Sequence, residues 1–429
     1  MLTVVLLSPV AAALLRKFWP GQPVFIEAAP ALTIIWAFLW AVPKVKDFPA
    51  YIGVPLLIWF GIQVLYLIPT AMQFETLAAS AMVVRLMPMA LPVIAFAAIR
   101  SSSDFRSVSI TMGIIALAAL PVGIFAGFWS EEGLPFWLRS IDTFSFGGSQ
   151  FRSGLPAVSF VFSTPAVLST TMGATAFLSI AAIKVRNTST SLTILLSAAA
   201  ISSLLLLLLS TRRGMLIIGI IALFSFFWGR SNTKILSGKV FLYAALILSI
   251  FALVNIYGFS DDYHDANRFE FITSVDYERR INEVFLGIWS FWFDELPLGM
   301  GLGTSGPEVN ALNISTHHSI STVVEVGIAQ LQVEMGILGV VGFPAMLMAI
   351  AYGLFSRSKN TDVEGPVFTM IIFTISIFLL FYIKEKSILT GMWVVVMSFW
   401  AVPGICAALI VRNHENAVVL NASSTKPTE

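Results

Sequence analysis

The sequence predicts an all-α polytopic membrane protein of about 12 transmembrane helices, with one large, partly helical extracytoplasmic loop between spans 9 and 10. Three observations carry that expectation. The chain is 57% hydrophobic and only 11% charged, where a soluble domain carries about 25% charge. Its mean hydropathy is +0.87. Its apolar residues fall into runs near the roughly 20 residues that a helix needs to cross the hydrocarbon core, broken by short polar links and a single long one.

The runs are 1–15, 24–43, 51–69, 77–98, 109–128, 160–183, 190–209, 214–229, 239–258, 328–355, 365–383 and 387–411. The first has no basic n-region and no small-residue exit, so it reads as a span rather than a cleaved signal. An even number of crossings puts both ends on one side. The segments that share a side with the N-terminus carry Lys44, Lys46, Arg100, Arg106, Lys184, Arg186, Arg230, Lys234, Lys239, Arg357, Lys359, Arg412 and Lys426. Their excess over the short links opposite assigns that side to the cytoplasm. The expected organisation is therefore spans 1–9 over 1–258, an outer loop at 259–321, spans 10–12 over 322–411, and a disordered cytoplasmic tail at 412–429. A net charge of +1 gives no electrostatic reason to expect a nucleic-acid partner. The single cysteine, Cys406, excludes an internal disulfide.

The outer side is rich in arginine rather than lysine. Arginine presents a planar fork that grips a carboxylate or phosphate at two points. The clearest case is LLSTRRGML at 208–216, where Arg212 and Arg213 interrupt apolar sequence. Asp142 and Asp261 bracket a stretch with no carboxylate that still holds eight Lys or Arg. These two arginines can be paired only by a carboxylate far away in sequence or by a bound anion.

Two outer loops stand out, a medium one at 129–159 and a long one at 259–321, and loops of the latter length are commonly functional or disordered. In the second, DYERRINEVFLGIWSFWFDELP has helical apolar spacing through Ile281, Phe285, Ile288, Trp289 and Trp292. That pattern predicts an amphipathic helix lying in the membrane interface, with Arg279 and Arg280 near the surface. Arg279 also stands four residues before Glu283, which suits pairing within the helix.

PLGMGLGTSG follows, and Gly301, Gly303 and Gly306 match G-x-G-x-x-G. The dinucleotide fingerprint needs a strand before it, and here the flanks are membrane helices. A tight turn is the expectation, with an anion-binding nest of backbone N–H groups as the alternative. His317 and His318 come just before the next span, where an imidazole suits general-base work on a hydroxyl or helix capping. Glu325 and Glu334 lie in or beside that span, and intramembrane carboxylates are functional suspects. Glu334-Met335-Gly336 equally suits helix entry beside a close packing contact. DDYHD at 261–265 has the oxygen ligands of a hard-cation site but reads as an ordinary loop start, and no metal site is assigned. Arg85 sits mid-span, at about 3 kcal/mol on insertion scales, so it needs a partner or a wet cavity. Pro88 and Pro92 follow and are expected to break the helix there.

The order of these elements resembles the O-antigen ligase and O-antigen polymerase superfamily of bacterial envelope enzymes. The likeness covers roughly 200–345. It consists of S-T-R-R-G opening a span, an Arg-bearing loop helix ending E-L-P-L-G-M-G-L-G, a histidine before the next span, and E-M-G-I-L-G-V-V-G-F. One departure is that His318 to Gly336 spans 18 residues, longer than is usual in the family, with a second E-V-G at 325–327. The resemblance implies a C-type-like, metal-independent glycosyltransferase with no cofactor, working on the periplasmic or extracellular face of a bacterial cytoplasmic membrane. Its donor would be an undecaprenyl-pyrophosphate-linked oligosaccharide. Its acceptor would be a lipid-linked glycan or lipid core, with a chain-length regulator and membrane lipids as further partners. By position, Arg212, Arg213, Arg279, Arg280 and Arg85 become candidate pyrophosphate contacts, and His318, His317 and Glu325 candidate bases. A 12-span transporter or flippase of lipid-linked glycans is the alternative, kept open by Arg85.

Overall fold

A computed structural model of the protein describes residues 1–18, 23–127, 151–152, 155–156, 165–209, 213–227, 298–305, 327–383 and 393–424. Apart from a two-residue antiparallel pair, Phe151–Arg152 with Leu155–Pro156, the regular structure there is helical. The helices are α1 (Leu2–Phe18), α2 (Pro23–Ala41), α3 (Ala50–Gln73), α4 (Glu75–Ala81), α5 (Leu91–Ala98), α6 (Ser102–Gly127), α7 (Pro165–Ile183), α8 (Thr190–Leu209), α9 (Arg213–Phe227), α10 (Gly327–Ser358), α11 (Glu364–Ile383) and α12 (Trp393–Ser424). The protein is thus an α-helical membrane protein. Among the described residues, five helical segments are long and apolar enough to cross a membrane: 50–73, 75–98, 102–124, 190–207 and 327–358. The run at 239–258 lies outside the described residues.

Local chemistry sets the helix ends. Ser101 Oγ accepts from the Asp104 N–H at 3.2 Å, and the Asp104 carboxylate takes the Ser101 hydroxyl and the Arg100 N–H. This satisfies donors that the first turn leaves free, so α6 starts at Ser102 rather than near 109. Asn360 (φ 63) closes α10, and Asn187 (φ 61) lies in the turn between α7 and α8, both in the left-handed region, a conformation that asparagine tolerates better than most residues. One sequence expectation is corrected here. α12 continues past 411 to Ser424, so most of the expected disordered tail is helix. Arg412 supports the extension by pairing with Glu415 at 2.8 Å and lying over the Phe96 ring at 5.7 Å.

Helix direction alternates, and contacts between the links define two ends. At one end Phe48 meets Phe96 edge to face, Arg357 lies over Tyr51, Arg106 donates to the Arg186 carbonyl, and Arg186 pairs with Asp362. The links before α3, before α6, before α8 and before α11 therefore share this end. It is rich in Lys and Arg. The opposite end holds the finish of α3, the finish of α8, the start of α9 and the start of α10.

The core between α3, α10, α11 and α12 centres on Phe343. Its ring contacts Trp59 (5.3 Å), Phe378 (5.7 Å), Trp400 (6.2 Å) and Phe399 (6.4 Å). Lys184, expected to be a simple topology charge, is instead buried. It donates to the Ser225 carbonyl and to Thr369 Oγ1, which ties the end of α7 to α9 and α11.

Small residues set some of the closest approaches. A Cβ on Gly404 would meet the Pro92 carbonyl carbon at 2.7 Å, whereas a Cβ on Gly61 would meet nothing within 4 Å. Gly404→Ala is expected to destabilise the protein by about 1–3 kcal/mol through overpacking of α12 on α5. Gly61→Ala is expected to be neutral. Thermal unfolding of the two variants in the same detergent checks the contrast; equal melting temperatures would contradict it.

Candidate functional site

Glu334 Oε1 is the centre of a polar cluster inside the bundle. It accepts from Arg85 Nη2 at 2.9 Å, from Ser305 Oγ at 3.0 Å and from Gln330 Nε2 at 2.9 Å. Glu334 and Ser305 are fully buried, and Arg85 is 4% exposed. The bundle interior is a poor solvent for a lone guanidinium, and the carboxylate supplies the partner that the sequence demanded of Arg85. The guanidinium for which a phosphate contact was expected is engaged through Nη2 by Glu334.

The helix around Arg85 is irregular in a way that serves the pairing. Between α4 and α5 the chain makes a π-helical turn over Met82–Leu86 and a 3-10 turn over Met87–Ala90. Pro88 and Pro92 lack the N–H that a regular helix would use, and single π turns inside helices recur at functional sites. Arg85 lies on the π turn. Its partner's helix is broken as well: Gly336, two residues after Glu334, has φ 58 and ψ −147.

The turn at 298–305 fills the space beside that break. Met300 N–H donates to the Val333 carbonyl (2.7 Å), Gly301 N–H to the Glu334 carbonyl (2.9 Å) and Leu302 N–H to the Tyr66 carbonyl (2.9 Å). Thr70 Oγ1 donates to the Leu302 carbonyl at 2.8 Å. Three consecutive backbone donors are thus engaged by protein carbonyls, so residues 300–302 form a turn packed on α3 and α10; Gly306 lies outside the described residues. Glycine is required here. Gly299, Gly301 and Gly303 have φ of 78°, 118° and 89°. A Cβ on Gly299 would meet Gly336 N and Met335 N at 2.6 Å, one on Gly301 would meet Thr70 Oγ1 at 2.5 Å, and one on Gly303 would meet Ala81 Cβ at 2.8 Å.

Of the other expected site residues, Arg213 is the first residue of α9, at the same end of the bundle as the 298–305 turn. Arg212, Arg279, Arg280, His317, His318 and Glu325 lie outside the described residues, as do DDYHD and the amphipathic segment of the long loop. Sequence reasoning did not single out Ser305 or Gln330. Gln330 had a legible signal, since it stands one helical turn before Glu334 and shares its face. Ser305 had none, because its partners are fixed only when the turn folds back onto α10.

Comparison with protein-family models and with curated proteins finds no match for this chain.

Two substitutions probe the cluster. Glu334→Gln keeps the shape but leaves a buried guanidinium uncompensated, at an expected cost of about 3–5 kcal/mol. Gly301→Ala meets both a left-handed backbone and the Thr70 side chain, and is expected to cost at least about 1–3 kcal/mol. Unfolding measured in one lipid–detergent mixture checks both. A Gly301→Ala protein as stable as the parent would contradict the docked turn.

Proposed function

We propose that this protein is an integral-membrane glycosyltransferase that polymerises or ligates an undecaprenyl-pyrophosphate-linked oligosaccharide on the outer face of a bacterial cytoplasmic membrane. Polymerisation is favoured over ligation. The observation that best supports the reading is one of position. The start of α9 at Arg213 and the fixed 298–305 turn stand at the same end of the bundle, and the basic links stand at the other. Under the positive-inside trend the basic end faces the cytoplasm, so the S-T-R-R-G junction and the long loop face outward together. A one-sided enzyme needs that grouping.

The chemistry follows from where charge develops. An acceptor hydroxyl attacks the anomeric carbon of the donor sugar. The bond from that carbon to the bridging oxygen breaks, and its electron pair leaves with the lipid pyrophosphate. Arg212, Arg213, Arg279 and Arg280 are the groups assigned to this growing negative charge, since fixed cations aimed at a developing oxyanion lower the barrier directly. The hydroxyl proton passes to His317, His318 or Glu325. The pyrophosphate linkage already carries the driving force, so no nucleotide is required outside the cell.

A second reading is favoured by a specific observation. The helical path over 82–90 and α10 at Gly336 are both irregular, and they meet at one buried ion pair. Discontinuous helices around an intramembrane charge are also how transporters build their sites. Movement of a lipid-linked glycan across the bilayer, with no new glycosidic bond, is the outcome that would favour it.

Purified protein given undecaprenyl-pyrophosphate oligosaccharide in liposomes is expected to lengthen or transfer the glycan in the presence of a metal chelator. Arg212→Ala or Arg213→Ala is expected to lower kcat by about a hundredfold or more, the loss typical of one oxyanion donor. Full activity in both variants would refute the pyrophosphate role, and cysteine labelling that puts 259–321 in the cytoplasm would overturn the sidedness.

A further inference from the structure

The Arg85–Glu334 pair is poorly suited to being a stabiliser. Only one carboxylate oxygen is used. Among the described residues, Glu334 Oε2, Arg85 Nε and Gln330 Oε1 are buried with no hydrogen-bond partner. A two-pronged arginine–carboxylate contact would engage both oxygens. Buried pairs with open valences are often matched or bettered in stability by apolar residues of similar volume. Stability is therefore a weak reason for this pair to be here.

Register is a better one. The single atom Glu334 Oε1 joins three pieces of chain that are remote in sequence: the π turn through Arg85, the loop end through Ser305, and α10 through Gln330 and Glu334 itself. Main-chain bonds from Met300 and Gly301 to Val333 and Glu334 hold the start of the turn. Ser305 holds its end: its hydroxyl donates to Glu334 Oε1 at 3.0 Å, with the Gln330 carbonyl at 3.5 Å as the longer alternative. An apolar replacement could fill the volume, but it would leave Ser305 only the longer contact to the Gln330 carbonyl and would loosen the end of the turn on α10.

We propose that Arg85 and Glu334 are positioning residues. Through Ser305 they fix the 298–305 turn against α10, and so fix the point from which the chain leaves the turn. The pair acts on the reaction through this turn and touches no reacting atom. The proposal rests on the glycosyltransferase reading. It predicts that charge pairing at this point is needed for turnover even where it is dispensable for folding.

The test is the double variant Arg85→Met with Glu334→Leu, set beside the single variant Glu334→Leu. Three quantities are read in liposomes: melting temperature, hydrogen-exchange rate of the 298–305 segment by mass spectrometry, and kcat and KM with undecaprenyl-pyrophosphate oligosaccharide. The single variant is expected to lose melting temperature. The double variant is expected to regain it, because no unpaired charge remains buried. In the double variant the segment should exchange about tenfold faster, as expected of a locally opened element. Its kcat should fall by about a hundredfold with KM little changed, the mark of misplacement rather than lost binding. A segment that stays as protected as in the parent overturns the latch. A loosened segment with parental kcat overturns the positioning role. If the parent itself makes no glycosidic bond, the glycosyltransferase reading fails, and the positioning role fails with it. The exchange and melting measurements still decide whether the pair holds the turn.

Discussion

A guanidinium inside a helical bundle must have a counter-charge, and the packing of α4, the π turn, the 298–305 turn and α10 is arranged around that demand at Arg85. The side chain has almost no access to solvent, and the insertion cost of an unpaired arginine is about 3 kcal/mol or more. Glu334 meets the demand from a residue 249 positions away. Once that pairing is made, α4, the π turn and α10 have a fixed mutual height. The carboxylate is then held open to Ser305 and Gln330, so the same atom that neutralises the arginine also anchors the turn.

The glycine turn is the second half of the arrangement. Its backbone must approach α10 and α3 closely enough for Met300, Gly301 and Leu302 to donate to carbonyls on both helices. No residue with a Cβ fits at Gly299, Gly301 or Gly303 without moving main chain or packed side chains. Close approach lets the turn sit beside the break at Gly336, which keeps the carbonyls of Val333 and Glu334 available outside the α10 ladder. Ion pair and turn are thus one construction, with Glu334 contributing its side chain to the first and its carbonyl to the second.

Much of the helical framework was legible in the sequence, because hydropathy reports a local property. Eleven of the twelve apolar runs overlap described helices, and the limits at 190–209 agree to the residue, while five described segments are long and apolar enough to cross a membrane. The differences have identifiable causes. α6 begins earlier than its apolar run because Ser101 and Asp104 cap it, and α12 runs on because its polar end is supported by Arg412 and Glu415. Lys184 was read as a loop charge because hydropathy does not register the carbonyl and hydroxyl that receive it. At the site, sequence alone required a partner for Arg85 and flagged Glu334, but the pairing between them is a long-range fact that no local pattern contains. The turn at 299–303 was legible as glycine-rich. That its donors are engaged by α3 and α10, rather than open to an anion, depends on packing.

The most direct test of the central claim is a double-mutant cycle over Arg85→Met and Glu334→Leu, read as unfolding free energy in one membrane mimic. Contacting residues couple by about 0.5–3 kcal/mol, and a pair whose single variants each strand a buried polar group is expected near the top of that range. Additive single effects, with no coupling, would contradict the ion pair as the interaction on which this end of the bundle depends.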